Sequence, residues 1–409
     1  MTATPPTPLT ALRAEAAAAA EHLGLPRRGD EPWKYTPTTA FLEGAYTPPT
    51  DGTTAASAPE RHIDGLVADL LFVNGALIGS AEGPAQALSE APSHPAAPLI
   101  NTVADFRNTT REESGGLLAL NLARATDVAV VEVPAGSRAV APIHLQFHSA
   151  ALGPLQISPR VLIVVRRGAE ATVVEHHTGL GPCWNNAVTE VILEDGARLQ
   201  LVRIQEQDSG SLHTGITVVE QAANSSLTTH DFACGARISR SEIRVRLSGA
   251  GAECNLRGLY LMDNARHSDQ HTVIHHTGNH TNSIELYKGV LQDESRGVFT
   301  GRIVVEPQVR GCTMRQENPN LLLSPRAHVE TRPQLEIRNN DVKAYHGATV
   351  GRLSSEAIFY LRSRGLDLAH ARRVLTGAFA AEIVDAVPVD SAREHLSLWL
   401  ARSLGGRLS

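Results

Sequence analysis

Residues 168–202 read GAEATVVEHHTGLGPCWNNAVTEVILEDGARLQLV. The stretch opens on Gly168-Ala169-Glu170 and runs into Ala171-Thr172-Val173-Val174. The same turn-then-strand phrase returns at Gly196-Ala197-Arg198 and Leu199-Gln200-Leu201-Val202. Turns of this kind stand upstream at Gly136-Ser137-Arg138 and downstream at Asn224-Ser225-Ser226 and Gly251-Ala252-Glu253, about 27 to 32 residues apart. Short runs of Val, Ile, Leu and Thr broken by glycine turns predict strands. A repeat of roughly 20 to 50 residues marks a solenoid, a propeller or an array. No WD or kelch signature is present, and only 4% of residues are aromatic. That favours a β-solenoid, in which the branched aliphatic side chains of one coil cover the apolar face of the next. A β-sandwich with coincidental spacing is the competing fold.

The repetitive texture spans 126–351, and the flanks differ from it. Region 1–125 reads as a helical or mixed N-terminal domain. Its Ala-rich segment from Thr10 to Leu25 predicts a helix, with stop signals at Gly24 and Pro26. Glu31-Pro32-Trp33-Lys34-Tyr35-Thr36 follows, then a Pro-, Thr- and Gly-rich loop at 43–60. Residues 61–125 carry short apolar runs such as Leu70-Leu71-Phe72-Val73 and a helix ending near Leu122. Region 352–409 reads as a small C-terminal helical domain. Ser354-Ser355-Glu356 has the cap and first-turn acid of a helix start, and that helix stops at Gly365. A longer helix from Leu368 to Val387 is stopped by Pro388, and a last one runs from Asp390 to Leu404. A chain of 409 residues divided in this way packs as two or three units.

Charge and motif content exclude several functions. A net charge of −6 offers no basic stripe to neutralise phosphates, which argues against a nucleic-acid binder. No apolar run reaches membrane-spanning length, and Met1 to Thr10 lacks the apolar core of a secretory signal. Cys183, Cys234, Cys254 and Cys312 are far apart and form no CxxC pair, as expected of free thiols in a reducing cytoplasm. Neither the phosphate loop GxxxxGKS/T nor the nucleophile elbow GxSxG occurs.

The densest polar cluster is His267, His271, His275, His276 and His280. On a strand, His271 and His275 share a face. There they make either a transition-metal site or a stacked polar ladder. His346 lies where the strand region meets the helices, beside Gly347, which lets a partner or ligand approach the backbone. A hydrogen-bonding histidine that pins this hinge is the plainer reading of the same residue.

Several segments, in the expected order, resemble the SufB/SufD family. They are Leu286-Tyr287-Lys288-Gly289-Val290, Val298-Phe299-Thr300-Gly301, and Gln316-Glu317-Asn318 through Leu323-Ser324. His346-Gly347-Ala348-Thr349-Val350-Gly351 resembles the hinge of the family's SufD branch. Phe359-Tyr360-Leu361-Arg362-Ser363-Arg364-Gly365 resembles its C-terminal motif, and Glu31 to Thr36 an N-terminal one. The resemblance implies a mainly β fold, a right-handed parallel β-helix (β-solenoid) between small α-helical N- and C-terminal domains.

It also implies a non-catalytic scaffold that pairs with SufB through the β-helices and docks the ATPase SufC on its C-terminal helices. Phe359, Tyr360, Leu361, Arg362 and Arg364 are the docking candidates. The complex would build an iron–sulfur cluster with sulfur from a cysteine desulfurase. Iron or cluster would be transient, with no cofactor held tightly by the isolated chain, and such complexes are linked to a reduced flavin. The isolated chain would form a homodimer through the edge that otherwise meets SufB. His346 matches the family histidine implied to hold iron or nascent cluster at the SufB interface. Many relatives carry a cysteine two residues earlier, where this chain has Ala344. The imidazole is then this chain's ligand, and SufB supplies the thiolates. The competing functions are a β-helix polysaccharide-processing enzyme, which needs clustered carboxylates and aromatic sugar platforms, and a metalloenzyme built on the His267–His280 cluster.

Overall fold

In a computed structural model, which describes residues 8–49, 62–89 and 93–405, the recurring turn sets the geometry of what lies between. At Gly136, Gly168, Gly196, Asn224, Gly251, His280 and Gly311, φ lies between 55° and 72°. Glycine enters this left-handed region without steric cost and asparagine with little. Each turn also donates its N–H one coil onward. Gly168 bonds the Asp195 carbonyl at 2.9 Å, Gly196 that of Ala223 at 2.8 Å, Asn224 that of Ala250 at 2.9 Å, and Gly251 that of Asn279 at 3.0 Å. The turns therefore stack into their own ladder, and their spacing in the chain becomes the rise of a coil.

The irregular start of the solenoid is built from β1 (Leu70–Val73), β2 (Ala76–Ser80), β3 (Ala85–Ala87), β4 (Ala129–Val133), β5 (Ile143–Ala150), β6 (Leu155–Ile157) and β7 (Arg160–Val165). Regular coils follow with β8 (Glu170–Leu180), β9 (Cys183–Leu193), β10 (Arg198–Gln207), β11 (Leu212–Gln221), β12 (Ser226–Ala233) and β13 (Ile238–Leu247). The remaining coils hold β14 (Glu253–Met262), β15 (His267–His276), β16 (Asn282–Leu291), β17 (Arg296–Val305), β18 (Cys312–Leu322), β19 (His328–Ile337) and β20 (Val342–Gly351). One sheet runs β2-β1-β5-β8-β10-β12-β14-β16-β18-β20 and the other β19-β17-β15-β13-β11-β9-β7-β4-β3. All pairs are parallel except β1 with β2 and β3 with β4. The result is a two-sheet solenoid of about eight turns. Its sheets draw β1 to β3 from the stretch that composition sets apart as the mixed N-terminal region.

Inward positions stack in register from coil to coil. Val131, Ile163, Val191, Val219, Val245, Ile274 and Ile303 form one unbroken column along the second sheet. All are buried in the main core. Burying such side chains contributes on the order of 2 kcal/mol each, and β-branched residues suit the pleated wall.

Each outer sheet face carries a helical layer. Helices α1 (Pro8–Leu23), α2 (Thr39–Leu42) and α3 (Gly115–Arg124) cover one face, with Trp33 and Phe41 packed toward Trp184, Val188 and Ile216. The fully buried ion pair of Arg160 and Glu190, at 2.6 Å, anchors this layer, and Glu190 also accepts the Asn101 N–H. The loop read at 43–60 is described only to residue 49, and the rest lies outside the described residues.

Helices α4 (Ser355–Ser363), α5 (Leu368–Val384) and α6 (Asp390–Gly405) close the chain. Ser354 caps α4 by accepting the Ala357 N–H, and Asp367 caps α5 by accepting that of His370. The helix read to Val387 ends at Val384, because Val387 N–H turns back to the Val384 carbonyl ahead of Pro388. Ile383, Leu396 and Trp399 lie on Val202, Phe232 and Leu259 of the first sheet's outer face. Lys288 pins α5 through the Phe379 carbonyl at 2.8 Å and Glu382 at 2.5 Å. No helix among the described residues is long and apolar enough to cross a membrane.

Candidate functional site at the open end of the solenoid

Among the described residues, the last coil, β19 and β20, has no neighbour beyond it. Neither strand contains a buried residue, whereas most of β15 and β17 is buried. An uncovered edge is a row of unpaired N–H and C=O groups ready for another strand. The two edges are finished differently. Pro333 sits mid-strand in β19 and removes one donor, a common way of blunting an edge. β20 reads Val-Lys-Ala-Tyr-His-Gly-Ala-Thr-Val-Gly, ten residues with no proline and one charge.

His346 is exposed on β20, and its register gives it a direction. It pairs with Gln316, which pairs with Glu285, which pairs with Leu256. The same column runs back through Thr229, Leu201 and Val173 to Ile143. His346 is thus the last member of an inward column that is apolar at its start and polar at its end. Gln316 and Glu285 are buried, and the Gln316 amide donates to the Glu285 carboxylate at 2.6 Å. Burial pushes the Glu285 carboxyl up to about 7, although the bond from Gln316 pulls the other way. Ala344, two residues before His346, occupies the next inward position and pairs with Met314. Alongside this column, Asn318 donates to the Tyr287 carbonyl at 2.8 Å, and Tyr260 hydroxyl donates to Asn320.

The other residues singled out in the sequence fall elsewhere. Phe359 and Tyr360 on α4 are 74% and 58% exposed, and the Arg364 guanidinium lies 5.4 Å from the Tyr360 ring centre. Leu361 is half-buried, while Arg362 and Arg364 are exposed. Trp33 and Thr36 dock the N-terminal layer on the second sheet: Arg240 lies 4.0 Å over the Trp33 ring, and Thr36 hydroxyl donates to Asp269 at 2.5 Å.

The histidines of 267–280 do not converge. His267 and His271 are buried under the N-terminal layer, where burial lowers both to about 4, so they are neutral at neutral pH. His275 pairs with Glu306 on the outer face at 2.7 Å, and His276 points the opposite way to Thr281 and Ser283. His280 is the turn residue itself. All four cysteines are buried and none is in a disulfide, and burial pushes the Cys183 thiol up to about 11.

Among the described residues, the one group of three ligand-bearing side chains that does converge is His176, Glu206 and His395. Only its first two members are adjacent in the coil repeat, about thirty residues apart, which is the signal a register argument offers. Histidine 395 arrives on α6 from the far end of the chain.

A solenoid that begins on short, reversed edges and ends on a full-length open one, with a histidine on its last rung, defines an edge-presenting β-helix rather than an enclosed pocket. The family model described as SUF system FeS cluster assembly, SufBD core domain, matches residues 147–379. The iron–sulfur cluster assembly protein SufD of Escherichia coli is 29% identical over 397 residues, covering 94% of this chain and 90% of that one. A SufBD family protein of Synechocystis sp. is 29% identical over 395 residues, with 91% and 86% covered. The chloroplastic protein ABCI7 of Arabidopsis thaliana is 29% identical over 390 residues, with 91% and 82% covered. The chain belongs to the SufB/SufD family of iron–sulfur cluster assembly proteins and is SufD-like.

Proposed function

We propose that this chain is the scaffold subunit that pairs with a SufB-type solenoid through β20, docks a SufC-type ATPase on α4, and supports cluster formation at the joint without catalysing a reaction itself. The observation that carries this reading is the ten-residue, proline-free edge of β20 with His346 in the inward register of the last rung. A strand added to that edge gains main-chain hydrogen bonds along its length, and side chains at alternate positions give it specificity. The same addition brings the partner's side chains against His346. A neutral imidazole is a good borderline ligand for incoming iron, and Ala344 beside it leaves thiolate ligation to the partner. Iron and sulfide are cargo here, delivered and released.

The exposed Phe359 and Tyr360, flanked by Arg362 and Arg364, fit an aromatic anchor with a charged rim. ATP-driven movement of two such ATPase subunits would pull on α4, which follows β20 directly in the chain, and so shear the joint. The test is anaerobic cluster assembly on the co-expressed three-protein complex, read by iron–sulfur absorbance. His346→Ala should leave the complex intact and lower cluster yield at least several-fold. An intact complex with unchanged yield would reduce His346 to a hinge residue.

A further inference from the structure

The side chains that converge most closely lie far from the open end, where α6 crosses the first sheet. His176 and Glu206 leave the outer faces of the adjacent strands β8 and β10, and His395 comes down from α6. Both rings aim Nε2 at one carboxylate oxygen, Glu206 Oε2, at 2.9 Å for His176 and 2.7 Å for His395. The rings stand edge to face at 5.6 Å, and the three ligand atoms lie within 4.8 Å of one another. We propose that His176, Glu206 and His395 bind a divalent first-row transition-metal ion that ties the C-terminal helical layer to the solenoid.

The donor chemistry selects the ion. Two imidazoles and one carboxylate suit iron(II), zinc and cobalt(II), and suit neither calcium and magnesium, which take oxygen, nor copper(I), which takes sulfur. Two histidines and one carboxylate on one side of an ion, with its other positions open, is an iron(II) arrangement.

Space and field agree. His395 and Glu206 line a cleft of about 730 Å³, so further ligand positions face solvent. The cleft carries Asp64, Glu206, Asp208 and Asp263 against Arg266 and Arg402, an acidic excess that attracts a cation. Metal–ligand bonds of about 2.1 Å place donors roughly 3.3 Å apart around one ion. The two imidazole–carboxylate spacings, 2.9 and 2.7 Å, reach that by opening about half an ångström, and the two ring nitrogens, within 4.8 Å of each other, by closing through small side-chain rotations.

The site stands on geometry alone, and the choice of iron(II) rests on the assembly function proposed above. The full chain, purified without partners and stripped with chelator, is titrated anaerobically with Fe²⁺ and separately with Co²⁺. One equivalent should bind, with cobalt absorption bands of a nitrogen–oxygen site. His395→Ala and Glu206→Gln should each weaken binding at least ten-fold, while His275→Ala leaves it unchanged. If either variant misfolds, X-ray absorption of cobalt-loaded wild type decides, with two imidazole nitrogens expected and an all-oxygen shell overturning the site. Absence of stoichiometric binding to folded wild type, or equal binding by both folded variants, also overturns it. Because SufB- and SufC-type partners are absent from this experiment, either result leaves the cluster-assembly reading to its own test.

Discussion

The two ends of the solenoid are finished in opposite ways. At the start, the chain doubles back: β2 runs antiparallel to β1 and β3 antiparallel to β4, and these edges are five and three residues long. At the finish, β19 and β20 keep the direction of every coil before them and stop at full length. The inner columns change character along the same axis. On the second sheet the column stays aliphatic from Val131 to Ile303 and ends on half-buried Leu335, while on the first it passes from Ile143 and Val173 to Glu285, Gln316 and His346. A reversed, short edge terminates a stack, whereas a parallel, full-length edge leaves a row of main-chain donors and acceptors to which a further strand can add.

Cutting equivalent side chains from one column should separate the covered coils from the last one most strongly. Ile274→Ala, in a fully covered coil, should cost about 4 kcal/mol in urea unfolding, and Leu335→Ala in the last coil about 1 kcal/mol. Equal losses would mean that the last coil is as closed as the middle. The next effect concerns Glu285. Its folded carboxyl is raised from 4.5 to about 7, so the folded state favours the protonated form. The stability this lends is full below about 4.5 and is lost as pH rises through about 7. Glu285→Gln should therefore flatten the pH profile in that window and raise stability at pH 8 by about 3 kcal/mol. An unchanged profile would show that the polar column carries no ionisation strain. The smallest effect is at the surface. The half-exposed pair Arg302–Glu336, at 2.7 Å, joins β17 to β19, and Arg302→Ala should cost no more than about 0.5 kcal/mol.

The fold was readable because its repeat is carried by backbone necessity. A left-handed turn recurs at Gly136, Gly168, Gly196, Asn224 and Gly251, and few residues tolerate that conformation, so the period shows in the letters. The candidate site was readable only in part. His346 stood out beside Gly347, but its inward direction depends on a register that links it to Gln316 and Glu285 through coils about thirty residues apart. Proximity in the chain misled at His267–His280, because alternation along β15 sends His275 and His276 to opposite faces and the turn takes His280. The grouping of His395 with His176 and Glu206 needed the fold-back of α6 across the sheet, a tertiary contact that no periodicity encodes.

A second family member is proposed to join at the open end, on β20. Hydrogen exchange by mass spectrometry on the chain, free and bound to a SufB-type partner, tests it most directly. In the free chain held monomeric by dilution, β20 amides from Val342 to Gly351 should exchange quickly, and on binding they should become protected, with β2 unchanged. Complex formation that leaves β20 as exchangeable as before, or that protects the β2 end instead, would contradict it.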